Sequence, residues 1–248
     1  MTDFSQVTVR CSSLGKLMTE PKSKEDKAAG NLSETAKTEL IRTYSDFKYG
    51  RYVDIKSKYT EKGKAVEETS ITMVSVILDC EFEKNTERKT DGWISGEIDC
   101  VGNVGGIRTV VDTKSSWDMV TFLSAISGSL NSDYVAQMKG YCQLWETQQA
   151  IVAYCLTSCP QHLLEAEKYK LLKSMNVISE ESPEYQLAAL SLEHNLTFDE
   201  IPLEERVFLF YVQRDDEWMQ RVRGKVEKGR DWLRDFEKRH LAGKAYAV

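Results

Sequence analysis

Two aspartates and a lysine stand close together in the segment GEIDCVGNVGGIRTVVDTKSS, residues 96–116. If the glycines of GNVGG make a tight hairpin turn, Asp99 on one strand comes nearly level with Asp112 on the other. Asp112 and Lys114 are two residues apart, so they project from one face of their strand. Two carboxylates converging on one point repel unless a cation lies between them. A hard divalent ion such as Mg²⁺ takes carboxylate and carbonyl oxygens and keeps several of its waters. The carbonyl of Thr113, between the two charged side chains, is a candidate third ligand. Lys114 beside such an ion would donate to a phosphate oxygen or place an attacking water. That is an arrangement for phosphodiester hydrolysis. The D-x-K pattern alone is equally compatible with an exposed hairpin end carrying an ion pair.

The elements that must hold these residues follow from periodicity and punctuation. Residues 33–47 predict a helix with Ser33 as N-cap and Glu34 in the first turn; Ala36 stands where the acid of a capping box would be. The polar stretch at about 20–32 predicts a loop. Val66, Met73, Val74 and Ile77 recur at helical spacing, predicting one helix over 59–78. Strands are expected at about 79–85, 92–101 and 106–113, joined at GNVGG. A helix over 132–147 precedes the apolar strand 150–156. Helices then fill a segment of about 160–200, and 206–212 predicts a last strand. Trp218, Val222, Val226, Leu233 and Phe236 form one side of a C-terminal helix, a stripe that reads as core packing. No repeat or divisive linker is evident. The expectation is one α/β domain over residues 1–248, a central mixed β-sheet flanked by helices.

Composition narrows the class. The chain has 248 residues, 41% hydrophobic and 29% charged, ordinary for a globular protein. The opening MTDFSQVTVR has no apolar run of the signal-peptide kind, and no segment is long and apolar enough to span a bilayer. A soluble, cytoplasmic protein is expected, with no membrane partner. The six cysteines form no CxxC pair and are expected to be reduced, mostly buried thiols; a metal site from Cys142, Cys155 and Cys159 matches no standard spacing. The net charge of −6 is unevenly spread. Residues 48–64 carry six Lys/Arg against Asp54 and Glu61, a net of +4, whereas residues 160–205 carry ten Asp/Glu against three Lys, a net of −7. Such a surface could bind a polyanion on one side and stay soluble through the other.

Two further motifs flank the D-x-K segment. Glu67 lies in KGKAVEETSI, on the helix before the hairpin. DYVAQMKGYCQLW places Gln137 and Tyr141 one turn apart on a helix. The chain therefore reads G-x-x-x-E, G-x-x-D, D-x-K and Q-x-x-x-Y in order. This resembles the PD-(D/E)XK nuclease superfamily, in the branch that contains RecB-type nuclease domains and the lambda-type phage exonucleases, over about residues 10–145. RCSSLGKLMTEPK also resembles a lambda-type segment that lies beside the DNA end.

The resemblance implies a restriction-endonuclease-like fold and a Mg²⁺-dependent deoxyribonuclease, with Mn²⁺ able to substitute. Asp99 matches the first metal-binding acid, Asp112 the acid of the (D/E)XK pair and Lys114 the catalytic lysine. Glu67 matches the helix acid that reaches the metal or its waters. Gln137 and Tyr141 match the residues that orient the lysine and line the DNA path. Metal ligands would be Glu67, Asp99, Asp112 and Thr113. DNA phosphates would meet Arg51, Lys58 and Lys62, with Arg10, Ser12 and Ser13 at a terminal phosphate. No proline precedes Asp99, the cysteines of the iron–sulfur members are missing, so no such cluster is expected, and there is no P-loop. The implied role is an exonuclease on double-stranded DNA ends in phage-type recombination or replication, with a single-strand annealing protein as partner and a ring trimer if lambda-like. A structure-specific or single-strand endonuclease with the same site, and a catalytically silent DNA-binding or protein-interaction module, remain open from sequence.

Overall fold

The computed structural model describes residues 2–52 and 57–241. Its strands are β1 (Val9–Arg10), β2 (Glu83–Lys84), β3 (Arg88–Thr90), β4 (Ile94–Glu97), β5 (Cys100–Val104), β6 (Ile107–Ser115), β7 (Gln149–Cys155) and β8 (Val207–Gln213). Its helices are α1 (Leu14–Leu17), α2 (Lys24–Ala28), α3 (Glu34–Tyr49), α4 (Lys58–Ala65), α5 (Glu67–Leu78), α6 (Met119–Ile126), α7 (Ser132–Trp145), α8 (Gln161–Ser174), α9 (Pro183–His194), α10 (Leu203–Arg206) and α11 (Asp216–Phe236). The sheet order is β1-β4-β3 in a small mixed sheet and β2-β5-β6-β7-β8 in a larger one. In the larger sheet β6 and β7 run parallel, and the other neighbours are antiparallel. The architecture is α/β, mixed sheets with helices on both faces.

The expected strand over 92–101 is in fact two strands in two sheets. Local hydrogen bonding causes the break. Asn85 N donates to the Asp99 carbonyl at 2.8 Å, and Asn85 Nδ2 to the Ile98 carbonyl at 3.1 Å. The chain leaves β4 there and enters β5 facing β6. The hairpin turn is only Gly105–Gly106, both with positive φ (57° and 84°), the backbone that a two-residue primed turn requires and that glycine adopts without penalty. Gly102 and Asn103, expected in the turn, belong to β5.

The helix expected over 59–78 is likewise two. Val66 (φ −111°, ψ 12°) leaves helical geometry between α4 and α5. Ser57 and Thr60 cap α4 reciprocally. Ser33 caps α3 through the Ala36 N–H at 3.0 Å, and Gly50 ends that helix at φ 60°. The polar loop at 20–32 contains the short α2, capped by Ser23.

The alternation of β6 and β7 splits the core into two layers. Val110 and Val152 pack with α7 and α11, through residues such as Met138, Cys142, Val222 and Val226. Val111, Ile151 and Ala153 pack with Ile71 and Val74 of α5. The C-terminal stripe is core as expected: Val222, Val226 and Leu233 are buried, and Trp218 and Phe236 pack against them. Arg230, also on α11 and buried, donates to the Val7 carbonyl from Nε and Nη2 at 3.1 and 2.9 Å and to the Gly92 carbonyl at 2.5 Å. It ties α11 to the end of the small sheet at which β1 and β4 begin. All six cysteines are free, five of them buried. Among the described residues no helix is long and apolar enough to cross a membrane.

Candidate active site

The register of the larger sheet builds the site. Cys100 pairs with Val111 across the hairpin, so Asp99, one residue before β5, arrives beside Asp112. Its Oδ2 accepts from Thr113 N at 2.6 Å and from Thr113 Oγ1 at 2.9 Å. These two bonds fix Asp99 on the flank of β6. The Thr113 side chain is therefore a site residue that sequence reasoning gave only a carbonyl role.

Asp112 and Lys114 share the face of β6 that looks toward α7. Asp112 is 3% exposed. Its Oδ1 accepts from Gln137 Nε2 at 3.2 Å. Its Oδ2 forms a close ion pair with Lys114 Nζ. Burial pushes the Asp112 carboxyl up to about 6; the Lys114 ammonium pulls against this, while the Asp99 and Glu67 charges add to the rise. Burial likewise disfavours the Lys114 charge, but Asp112 and Asp99 outweigh it and hold the amine above its ordinary value. The Lys114 side chain is a quarter exposed, and its Nζ lies 5.0 Å from the centre of the Tyr134 ring. Tyr134 is one turn before Gln137 on α7, a position legible in DYVAQM only once the site's location is known.

Gln137 and Tyr141 lie on α7 against this face, as the Q-x-x-x-Y spacing predicts. Their bonding differs from the expected one. Gln137 donates to Asp112 and to the Tyr141 hydroxyl at 2.9 Å, so it orients the carboxylate rather than the lysine. Burial first, then the Asp112 charge, keeps the Tyr141 hydroxyl protonated well above the ordinary tyrosine range. Gly96 of β4 makes room for that ring: a Cβ there would meet Tyr141 Cε1 at 2.7 Å and Cys11 Sγ at 3.0 Å.

Glu67 begins α5, on the other side of β6. Its charge is close enough to raise the Asp112 carboxyl, but its Oε1 pairs with Lys84 at 3.2 Å. Among the described residues no group of three or more His, Cys, Asp or Glu lies close enough together to hold a metal ion; this includes Cys142, Cys155 and Cys159. The acids the structure brings together are two, Asp99 and Asp112, with Thr113 between them.

The residues expected to touch DNA are scattered. Lys62 is wholly buried and donates to the Ser116 and Trp117 carbonyls at 2.7 and 3.0 Å, so the expectation that it meets phosphate is corrected: no part of its ammonium faces solvent. Lys58 pairs with Glu167 at 2.9 Å. Ser13 is buried and donates to Glu39 at 2.6 Å, while Ser12 and Arg51 are exposed. Arg10 pairs with Asp46 at 2.7 Å and stacks 3.9 Å above the Tyr52 ring. The Lys58–Glu167 and His162–Glu61 contacts join the basic and acidic segments. They abut rather than occupy opposite sides. Residues 53–56, including Asp54 and Lys56 of the basic segment, lie outside the described residues.

Solved structures described as exonucleases share this fold. The chain is similar to a phage related exonuclease from Haemophilus somnus 129PT, with 29% identity, a TM-score of 0.70, and coverage of 94% of this chain and 96% of that one. It also shares its fold with an alkaline exonuclease from Laribacter hongkongensis, solved alone and in complex with dAMP, at 13% identity, a TM-score of 0.60 and coverage of 97% and 96%. No family model and no curated protein sequence matches the chain.

Proposed function

We propose that the chain is a Mg²⁺-dependent deoxyribonuclease of the PD-(D/E)XK type, an exonuclease acting on the ends of double-stranded DNA. The observation that carries this reading is the Asp112 carboxylate. It is buried, pushed up to about 6 chiefly by that burial, oriented by Gln137 and ion-paired to Lys114, with a second acid, Asp99, beside it. A buried carboxylate in that condition suits a cation. The exonuclease descriptions of the similar structures support the same reading.

The donor set fits a hard divalent ion: two carboxylates, the Thr113 carbonyl and Glu67 acting through water, a small number of protein oxygens of the kind Mg²⁺ accepts. Mg²⁺, or Mn²⁺ in its place, would supply polarisation of the scissile phosphate and compensation of the two carboxylate charges. Gln137 holds Asp112 in one orientation. Thr113 does the same for Asp99. Lys114 carries protons at Nζ, donates to a non-bridging phosphate oxygen and holds the attacking water in line. The Tyr134 ring, 5.0 Å from Nζ, steadies the amine by a cation–π contact. A phage recombination role beside a single-strand annealing protein, in the bacterial cytoplasm, extends this reading.

The test is incubation with linear and circular duplex DNA, each with Mg²⁺ or EDTA. Release of nucleotides from linear DNA alone, only with metal, is expected. Cutting of circular DNA would replace the exonuclease by an endonuclease, and no hydrolysis of either would leave a binding module.

A further inference from the structure

Behind the site, on the α5 side of β6, three polar contacts, two buried and one partly buried, fasten the α4–α5 elbow to the end of the strand. Ser70 Oγ and Ser115 Oγ share a hydrogen bond of 2.9 Å. Lys62 Nζ bonds the next two carbonyls, those of Ser116 and Trp117. Lys62 and Ser70 are both at 0% exposure. The three partners are consecutive and follow Lys114 directly.

Lys62 is a costly residue to place there. Water is withdrawn from an ammonium that no carboxylate among the described residues pairs with, and burial brings its pKa down to about 8 against a smaller opposing pull from the Asp118 charge. The rings of Trp117 and Phe198 lie 5.8 and 5.7 Å from Nζ, which softens the cost without cancelling it. An apolar side chain would fill the same space more favourably. What the lysine adds is direction. Ile71 and Val74 hold α5 on the sheet by apolar contact, and apolar contact is not directional. Hydrogen bonds to fixed carbonyls set the helix's position along its axis and its rotation. Glu67 stands between the two anchors in sequence, five residues after Lys62 and one helical turn before Ser70, just past the break at Val66.

We propose that Lys62 and Ser70 are positioning residues that set Glu67 relative to the Asp99–Asp112 pair, by locking the α4–α5 elbow to the strand that carries Asp112 and Lys114. This rests on the nuclease reading and on Glu67 serving that site.

The test is a set of double-mutant cycles with linear duplex DNA and Mg²⁺: Lys62→Met, Ser70→Ala and Glu67→Gln, singly and combined. Lys62→Met should lower kcat about 10- to 100-fold and Ser70→Ala about threefold to tenfold, the range for residues that support a metal site, with KM for DNA within about threefold. In the Glu67→Gln background neither change should lower kcat by more than about twofold further. A purely structural role would cut the rate by the same factor in both backgrounds, and that result overturns the assignment. Should Lys62→Met fail to fold, Ser70→Ala and Ser115→Ala, which each remove one hydroxyl of the same bond, carry the test alone. Additive losses with Glu67→Gln defeat the positioning role only. A wild-type chain that hydrolyses no DNA, or a Glu67→Gln chain at full rate, defeats the reading beneath it.

Discussion

On the α7 side of β6, Asp112 is buried beside Asp99 and Lys114, with its carboxyl pushed up to about 6. On the α5 side, Ser115 and the carbonyls of Ser116 and Trp117 each meet a partner at 2.7 to 3.0 Å. One strand thus presents a face where a carboxyl is desolvated beside a second acid, and a face whose hydroxyl and carbonyls are all hydrogen-bonded. Groups kept desolvated persist only where the surrounding structure over-determines them, and they cluster where ligands bind. The quiet face supplies that over-determination.

The largest expected effect lies on the α7 side. Asp99→Asn, Asp112→Asn and Lys114→Ala should each lower kcat by at least about three orders of magnitude, roughly 4 kcal/mol of transition-state stabilisation, with the circular dichroism spectrum unchanged. Substantial cleavage in any of the three would remove the distinction between the faces. Gln137→Ala should be milder, raising the Mg²⁺ needed for half-maximal rate by about 10- to 100-fold as the orienting contact to Asp112 is lost. If instead only DNA affinity changed, Gln137 would belong to the DNA path.

Proton competition gives a third measure. Asp112 in the folded chain, at about 6, lies above the ordinary 3.8, so between those values it keeps a proton that an unfolded chain would release. A divalent ion must displace that proton. The Mg²⁺ requirement should therefore climb as pH falls through about 6, by roughly tenfold per unit, and flatten at higher pH. A requirement independent of pH across that range would mean that Asp112 is not the ligand. The smallest effect belongs to Lys58. Because it already pairs with Glu167, Lys58→Glu should change the salt dependence of DNA binding by less than about one in the log–log slope. A larger change would return the DNA path to the basic segment.

Much of this was legible in the sequence. The two-residue spacing of Asp112 and Lys114 specified a shared face, and GNVGG specified a turn near enough to bring Asp99 alongside, though only its last two glycines form it. The cap Ser33 and the stripe on α11 were equally plain. What sequence did not reveal depends on contacts between distant residues. The break at Asp99 is made by Asn85 and Thr113, and no local propensity announces it. Lys62, in a run of surface-type residues, carries no mark of burial, because its partners are carbonyls 54 and 55 residues away. Gln137 could serve either Asp112 or Lys114 at the same spacing, and only the packing of α7 decides between them.

Arg230 has a consequence for how the molecule is made. Its guanidinium closes on a carbonyl 223 residues earlier. Synthesis proceeds from the other end. The strand bearing Asp112 and Lys114 is complete long before α11 exists, but the layer of α11 that covers Val110 and Val152 through Val222 and Val226 is not. Contacts of such sequence separation are slow to form and reward the chain only late. An unfinished chain therefore carries every acid of the site while lacking the clamp that joins the small sheet to the last long helix. The competent arrangement is reached only after translation has passed that helix.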